Sequence, residues 1–512
     1  MLRSILFFAF SALVACHPFS PQTRHITETW FADPAPDLAL TTPAFGKAHG
    51  FTKHRELVAF LERVAAADPR ATLSVIGQSQ KGRDIPLIRF AATESPTIRV
   101  WLQGGLHGNE PASSEGLLTL IDHLAHDPAF ADVRARVEIA IVPVANVDGY
   151  QIQSRYAANG RDLNRDQTKL MVEETLLLRR AFLDFDPQVA VDFHEYRPYR
   201  RDFVWFGENG ATGAYDVMFL YSGNLNVPAE LRSFTDEVFV QAARDAMDAH
   251  GLTHHPYVTT RDVAGDIHFN QGSVNARSSA TSFALSRTVS TLIEVRGVGL
   301  QRDGFPRRVK TTYWIASAYV RAALEHADEV HRVLDEGADP PDVTVRSAPE
   351  VDEGTLMMID LLPRADLEVP VVLRDNLRSQ PILARSRPEA YAILPGHDHV
   401  LTRLESLGLS VERLDAPRRV PVERYVVDAY TRDPYRYEGM HRQTVHTRVD
   451  RVERELPAGS ALVQLDQARG NLLPELLEPE APNSFVSFGV LRVHDGDELP
   501  IYRTLPAPPA AP

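Results

Sequence analysis

Residues 104–111 read Gly-Gly-Leu-His-Gly-Asn-Glu-Pro, and this octapeptide decides how the chain folds. It follows a short apolar run at 98–102, which predicts a buried strand, and it precedes apolar residues at helical spacing between 117 and 124. The closing proline suits the first position of a helix. The stretch therefore predicts a strand, a tight glycine-rich loop and a helix, with His107 and Glu110 on one side of the loop.

Strands and helices continue on both sides of the octapeptide. Apolar and β-branched runs at 137–144, 189–193 and 288–293 predict further strands, and helical spacing predicts helices near 236–250 and 312–335. Strands that alternate with helices predict an α/β fold, in which a mixed, mostly parallel sheet is covered by helices on both faces.

Composition and length divide the chain of 512 residues into several segments. A shift to Asp, Pro and Gly after the last of these helices predicts a boundary, and a strand–helix–strand pattern follows it. We therefore expect a signal peptide at 1–15, a tether at 16–45, a first domain at 46–338, a linker at 339–354 and a smaller C-terminal α/β domain at 355–512.

Cys16 is the only cysteine, and it ends the run Leu-Val-Ala-Cys behind a short basic and apolar start. This run resembles a bacterial lipobox, in which the cysteine is lipidated and anchors the protein to a membrane surface. The prediction is a bacterial cell-envelope location, periplasmic or at the outer membrane. An ordinary secretory signal is the alternative.

Charge and composition exclude several function classes. The net charge of −14 argues against a nucleic-acid partner, which would require a basic face. A single cysteine near the N-terminus leaves neither disulfides nor a cysteine nucleophile. The sequence also contains no HExxH helix motif and no GxSxG motif. Carboxylates, histidines, hydroxyls or a metal must therefore carry any chemistry.

His107, Glu110 and His194 are candidate metal ligands. Zinc binds imidazole nitrogen and carboxylate oxygen, and a catalytic zinc uses three protein ligands with one open position. His194 ends the strand at 189–193, and open α/β sheets bind ligands at the carboxyl ends of their strands. A second His-x-x-Glu, at 326–329, lies within a predicted helix and is typical of a solvated face.

Further motifs follow in order along the chain. They are Asn-Val-Asp-Gly-Tyr at 146–150, Gly-Arg-Asp-Leu-Asn-Arg at 160–165, and Glu294 at the end of an otherwise apolar strand. With the octapeptide and His194, they resemble the zinc metallocarboxypeptidases of the carboxypeptidase A/B type over residues 50–336. The resemblance implies that fold, one zinc ion per chain and hydrolysis of C-terminal peptide bonds.

The resemblance also implies a role for individual residues at the metal. Beyond the three zinc ligands, Glu294 would be the general base that activates water and later protonates the leaving amine. Arg155 would stabilise the oxyanion, and Asp162 would accept a hydrogen bond that fixes the tautomer of His107.

Other residues would contact the substrate, a peptide. Asn164 and Arg165 would bind its terminal carboxylate, and Val274 occupies the place of the specificity-pocket residue. The family's mobile tyrosine is missing from the residues just before Val274. His268 is a possible replacement donor, whereas Tyr257 is too far upstream to match.

Two alternatives stay open. The same site could hydrolyse the stem peptides of peptidoglycan, which an envelope location would favour. The chain could also be a peptide-binding pseudoenzyme without turnover. The preferred terminal side chain, the oligomeric state and the role of the C-terminal domain have no sequence signal.

Overall fold

The computed structural model describes residues 23–362 and 364–505. Its helices, in chain order, are α1 (Arg24–Trp30), α2 (His54–Ala67), α3 (Pro111–His126), α4 (Ala131–Arg136), α5 (Val147–Gln151), α6 (Glu173–Phe185), α7 (Ala229–Phe234), α8 (Gln241–Ala249), α9 (Ser279–Ala284), α10 (Phe305–Glu325), α11 (Ala327–Glu336), α12 (Asp398–Ser406) and α13 (Leu472–Leu477).

The strands, again in chain order, are β1 (Ala71–Gln78), β2 (Asp84–Phe90), β3 (Ile98–Gly104), β4 (Val137–Val142), β5 (Val189–Tyr196), β6 (Ala211–Gly213), β7 (Val217–Tyr221), β8 (His254–Pro256), β9 (Val258–Val263), β10 (Asp266–Gln271), β11 (Val289–Arg296), β12 (Asp342–Asp360), β13 (Ala365–Ser386), β14 (Ala390–Ile393), β15 (Glu412–Arg413), β16 (Arg418–Arg432), β17 (Gln443–Leu456), β18 (Ala461–Gln464) and β19 (Glu498–Thr504).

The largest sheet has eight strands in the order β1-β2-β4-β3-β5-β11-β7-β8. The four central strands, β4, β3, β5 and β11, are parallel to one another, and the antiparallel pairs lie toward the edges of the sheet. Side chains 189–195 of β5 are all buried. Because successive side chains point to opposite faces, both faces of the sheet are covered. The predicted α/β fold with a mixed, mostly parallel sheet is confirmed.

Helices α3 and α10 pack on each other and on the central strands. They approach closely at Gly116, where a Cβ would lie 2.3 Å from Cβ of Thr312. The helix predicted at 312–335 is in fact two helices, because the backbone turns at His326 between α10 and α11. The helix predicted at 236–250 ends as expected before Gly251, but it begins earlier and contains a π-helical turn at Thr235–Val240.

The predicted linker at 339–354 is wrong, because most of it belongs to a long hairpin. Strands β12 and β13 pair antiparallel. β13 also pairs with β10, and β12 pairs with β6, which makes a five-stranded sheet in the order β6-β12-β13-β10-β9. Pro340 and Pro341 precede the hairpin, and Asp342, Asp352 and Glu353 are exposed in its first strand, so the composition of 339–354 imitates a linker. This sheet joins the two predicted domains.

The C-terminal domain comprises residues 390–505. It contains a six-stranded antiparallel sheet in the order β15-β18-β14-β19-β16-β17, with α12 and α13. The smaller C-terminal α/β unit predicted from the sequence is therefore present, although it begins later than expected. One buried apolar cluster runs from Val289 of β11 to Leu476 of α13, so this domain packs on the rest of the chain.

The described part of the predicted tether, residues 23–45, packs against the body of the protein. Ile26 of α1 is fully buried beside Ile359. The Lys310 ammonium donates to the Asp33 carboxylate at 2.7 Å, and this lysine is itself buried. These contacts show that the segment is part of the folded structure rather than a free tether.

The predicted signal peptide, 1–15, and the predicted lipidation site, Cys16, lie outside the described residues. Within residues 23–362 and 364–505, no helix combines the length and the apolar content needed to cross a membrane.

Candidate metal centre

The octapeptide at 104–111 connects β3 to α3, as predicted. Its path leaves no room for side chains at its glycines: a Cβ on Gly108 would lie 2.0 Å from the carbonyl carbon of Gly149 in α5. Glycine is therefore required where this loop presses against the neighbouring helix. The close contact holds His107 and Glu110 inside the protein.

His107, Glu110 and His194 come together at the carboxyl ends of two central strands of the large sheet. Strands β3 and β5 are parallel neighbours, with Gly104 opposite Phe193, so the loop after β3 lies beside the end of β5. The three residues are 2%, 1% and 0% exposed. They are the single group of three potential metal ligands found within the described part of the chain, with ligand atoms within 4.8 Å of one another.

The two imidazoles turn the same ring atom toward the centre of this group. Nδ1 of His107 lies 2.8 Å from Glu110 Oε1, Nδ1 of His194 lies 2.8 Å from Glu110 Oε2, and the two Nδ1 atoms are 3.0 Å apart. The outer ring atoms face other carboxylates. Nε2 of His107 is 3.1 Å from Asp162 Oδ1, and Nε2 of His194 is 2.9 Å from Asp192 Oδ2.

These contacts fit a zinc ion. Asp162 and Asp192 each accept from an Nε2–H, which leaves the Nδ1 lone pairs of His107 and His194 directed at the Glu110 carboxylate. Three electron-pair donors that converge in a buried place repel one another unless a cation lies between them. Two imidazole nitrogens and one carboxylate are a donor set of catalytic zinc.

Arg155 lies at the edge of the centre. Its Nε and Nη2 donate to Asp162 Oδ2 at 3.0 and 2.8 Å, while Nη1 is 3.2 Å from His107 Nδ1 and 3.8 Å from Glu110 Oε1. Burial acts to raise the pKa of Asp162, but the charges of His107 and Arg155 outweigh it and lower that pKa. The ionised carboxylate of Asp162 therefore contacts the imidazole of His107 and the guanidinium of Arg155 at the same time.

Glu294 lies near the carboxyl end of β11, which runs to Arg296, and pairs in register with His194 of β5. Paired residues on neighbouring strands place their side chains on the same face, so the carboxyl lies beside the metal ligands. Burial raises the pKa of Glu294 to about 7 against the opposing charge of His194, and the charge of Glu110 adds to the rise. This carboxyl is thus able to accept and release a proton near neutral pH.

A cavity of about 250 Å³ opens beside Glu294, with Arg155 and Asn109 also on its wall. Most of its lining is aromatic or aliphatic. The second sheet contributes through 356–358 of β12, a Leu-Met-Met run. These three residues, which the sequence analysis assigned to the C-terminal domain, therefore form part of the wall of the cleft.

Tyr257 is a site residue that sequence reasoning dismissed. It lines the cavity with Glu294, and burial raises its pKa to about 12, with the charge of Glu294 adding to the rise. The hairpin of β9 and β10 lies between Tyr257 and Gly272 and brings them together, since the Gly272 N–H donates to the Tyr257 carbonyl at 2.9 Å. This pairing of distant positions has no signal in residue spacing. His268, the alternative considered, is not on the cavity wall.

Asp192 is a second residue that sequence reasoning missed. It accepts from Nε2 of His194 and, at 2.5 Å, from the Ser279 hydroxyl. A signal was present: Asp192 is an acid inside an apolar strand, two residues before His194, and alternate strand residues share a face.

The predicted substrate residues fall in two places. Asn164 lies next to the centre: its N–H donates to Asp162 Oδ1 at 2.8 Å, and its side-chain oxygen accepts from the Ser279 N–H at 2.8 Å. Arg165 follows it, with Nη1 donating to the Asn164 carbonyl at 2.8 Å. Val274 instead lines a separate cavity of about 50 Å³ against the C-terminal domain.

Residues 57–191 match the Peptidase M14 family, described as zinc carboxypeptidase. "Carboxypeptidase 2" of Trichophyton rubrum is 30% identical over 474 residues, covering 89% of this chain and 87% of its own length. "Carboxypeptidase 2" of Trichophyton tonsurans is also 30% identical, over 470 residues, with the same coverage.

Among solved structures, a metallo-carboxypeptidase from Burkholderia cenocepacia is 21% identical, with a TM-score of 0.41, over 54% of this chain and 69% of its own. Carboxypeptidase A from Helicoverpa armigera is 19% identical, with a TM-score of 0.41, over 57% of this chain and 80% of its own.

The predicted location is wrong. A lipid-anchored place in a bacterial cell envelope was expected from the residues around Cys16, but the relatives that match along most of the chain are fungal. Four residues that resemble a lipobox are a short pattern and do not by themselves fix a location.

The ligand set, the order of the motifs and the relatives that match nearly the whole chain agree with one another. The chain therefore belongs to the zinc carboxypeptidase family and is a metallocarboxypeptidase.

Proposed function

We propose that the protein hydrolyses the C-terminal peptide bond of peptides, with one zinc ion per chain held by His107, Glu110 and His194. The observation that carries this proposal is the convergence of three buried electron-pair donors beside the carboxyl of Glu294. A vacant position on the metal and a proton acceptor next to it are what hydrolysis by a zinc peptidase requires.

Each residue around the centre has a distinct task in this proposal. When bound, the zinc ion polarises the substrate carbonyl and acidifies the attacking water. Glu294 takes the proton from this water and delivers it to the leaving amine nitrogen, so that a carboxylate and an amine are formed. Arg155 donates to the oxygen on which negative charge develops. Asp162 and Asp192 keep Nδ1 of both imidazoles directed at the centre.

Arg165 and Asn164 bind the terminal carboxylate of the substrate, because a planar guanidinium matches the geometry of a carboxylate. The aromatic and aliphatic lining of the cavity beside Glu294 favours apolar side chains near the cleaved bond. The alternative substrate, peptidoglycan, rested on a bacterial envelope location, and the fungal relatives remove that argument.

The test is a measurement of zinc content together with amino acid release. We expect the purified protein to carry one zinc ion by mass spectrometry and to release the C-terminal amino acid from N-blocked dipeptides. Phenanthroline should abolish the release, and added zinc should restore it. Zinc binding without any release would support the non-catalytic alternative and contradict the proposal.

The Glu294→Gln variant separates metal binding from turnover. It should keep its zinc and lose about 10²- to 10⁴-fold in turnover, the usual contribution of a general base. Glu329→Gln is the matched control, because Glu329 belongs to the second His-x-x-Glu and its side chain is 45% exposed. Near-normal turnover of Glu294→Gln would show that another group accepts the proton.

A further inference from the structure

Glu438 of the C-terminal domain reaches the substrate-binding arginine. It lies at the tip of the hairpin that joins β16 to β17, and its side chain is 13% exposed. Its Oε2 is 2.7 Å from Lys169 Nζ, while Oε1 is 3.0 Å from Arg277 Nε and 3.7 Å from Arg165 Nε. One carboxylate from the C-terminal domain thus faces three cations of the main body.

The backbone conformation at this tip is unfavourable for glutamate, which indicates that the Glu438 side chain has a function. Tyr437 and Met440 exchange backbone hydrogen bonds of 2.7 and 3.0 Å, and the two residues between them have φ of 52° and 82°. Such a turn favours Asn, Asp or Gly at both central positions. A glutamate there costs free energy, and strain of this kind is found where a side chain is needed.

The three cations are held to different extents. Arg277 also donates to Asn275, Asn483 and the Tyr437 hydroxyl, and the Lys169 ammonium lies 4.2 Å from the centre of the Phe488 ring. Both are therefore fixed inside the contact between the domains.

Arg165 is different, because only part of its guanidinium is engaged. Nε faces Glu438 and Nη1 donates to the Asn164 carbonyl, while Nη2 has no protein partner within residues 23–362 and 364–505. Asn164, the residue before Arg165, donates through its N–H to Asp162 Oδ1, which also contacts Nε2 of His107. Arg165 therefore lies beside the metal centre.

We propose, on the basis of the proposed function, that Glu438 is a positioning residue for Arg165. Its carboxylate faces the Nε edge of the guanidinium and directs the Nη2 end toward the substrate. It also offsets the charge of Lys169 and Arg277, so that a substrate carboxylate is drawn to Arg165 and not to its neighbours. The C-terminal domain in this way completes the substrate site that the main body begins.

The test compares two variants of the full-length, zinc-loaded protein. Glu438→Gln keeps the shape of the side chain and removes its charge, and Glu438→Asn removes the charge with a residue that suits the left-handed turn. Each should raise the KM for an N-blocked dipeptide about tenfold or more, as expected for a lost charged contact, with kcat changed less than about threefold. Asp186→Asn is the matched control, because it removes another ion pair with the C-terminal domain, to Arg469.

Two probes distinguish positioning from a merely structural role. The affinity for 3-phenylpropionate, which carries a carboxylate, should fall with KM, whereas the affinity for acetohydroxamate, which binds zinc without a carboxylate, should not change. Calorimetric titration measures both affinities even if no peptide is cleaved. A protein without peptidase activity would therefore contradict the proposed function but would still allow the role of Glu438 to be tested. Unchanged carboxylate affinity in both variants would overturn the proposal. Increased affinity would overturn it as well, since Glu438 would then compete with the substrate.

Discussion

Each histidine of the metal centre lies between a carboxylate and the place of the metal. Asp162 holds His107, and Asp192 holds His194. Burial acts to raise the pKa of Glu110, but the two histidines outweigh it and lower that pKa to about 2. The Glu110 side chain is therefore an ionised carboxylate, the form in which it can bind a metal ion.

Replacement of Asp192 by Asn should weaken zinc binding without unfolding the protein. The amide still accepts a hydrogen bond from Nε2 of His194, but it lacks the charge that makes the imidazole a stronger ligand. We expect a loss of about 10- to 100-fold in zinc affinity, measured by competition with a chromophoric chelator.

The control is Ser279→Ala, which removes the other hydrogen bond to Asp192 and leaves its charge intact. It should retain most of the zinc affinity. An Asp192→Asn protein that binds zinc as tightly as the parent would show that this carboxylate does not tune the ligand.

Site residues could be predicted from the sequence where the residues next to them along the chain are unusual. Glu294 ends an apolar strand, and His107 and Glu110 stand among glycines, so their context marked them. Tyr257, between β8 and β9, and Glu438, at the tip of a hairpin, approach the site only after folding. Their sequence neighbours are ordinary, which explains why no pattern identified them.

Among the elements, the loop between β3 and α3 decides whether the site forms. Gly108→Ala should destabilise the protein by roughly 1–3 kcal/mol, the usual range for overpacking, because its Cβ would overlap the backbone of α5. The loop should then shift His107 and Glu110 and lower the zinc content. Urea unfolding and metal analysis measure the two effects.

Gly46→Ala is the matched control, since no atom lies within 4 Å of a Cβ there. It should leave both stability and zinc content close to those of the parent. Equal behaviour of the two variants would mean that the loop has more room than the structure gives it.

Elements were predictable where the apolar pattern is strong. Strands β3, β4, β5 and β11 are buried on both faces and were identified from their runs of apolar residues. The hairpin of β12 and β13 was missed because much of it is exposed and polar residues interrupt its apolar residues. Pairing with β10 and β6, which are far away in sequence, is what makes it a sheet.

On the scale of the whole molecule, a buried glutamate links the C-terminal domain to the main body. Glu475 of α13 accepts from the side-chain amides of Asn224 and Asn226 at 2.7 and 2.8 Å. Burial raises the pKa of this carboxyl to about 7, from an ordinary value of 4.5. The folded protein therefore binds a proton more tightly at this position than the unfolded chain does.

This pKa predicts how stability depends on pH. The contribution of Glu475 is full below about pH 4.5 and is lost as the pH rises through about 7, in total roughly 3 kcal/mol. Glu475→Gln remains neutral and still accepts both hydrogen bonds. The variant should match the parent at pH 4 and exceed its free energy of unfolding at pH 8, measured by urea unfolding at both values.

Glu405→Gln, at an exposed position of α12, is the control and should track the parent at both pH values. A constant difference between Glu475→Gln and the parent across this range would show that the pKa of this carboxyl is the same in the folded protein and in the unfolded chain.

All the chemistry proposed for this protein requires that His107, Glu110 and His194 hold one zinc ion. A crystal structure with anomalous diffraction recorded at the zinc edge tests it most directly. We expect one peak, with Nδ1 of both histidines and a Glu110 oxygen at about 2.0–2.2 Å from the metal. A zinc-loaded crystal with no peak there, or with its peak on other residues, would show that these three side chains do not form the zinc site.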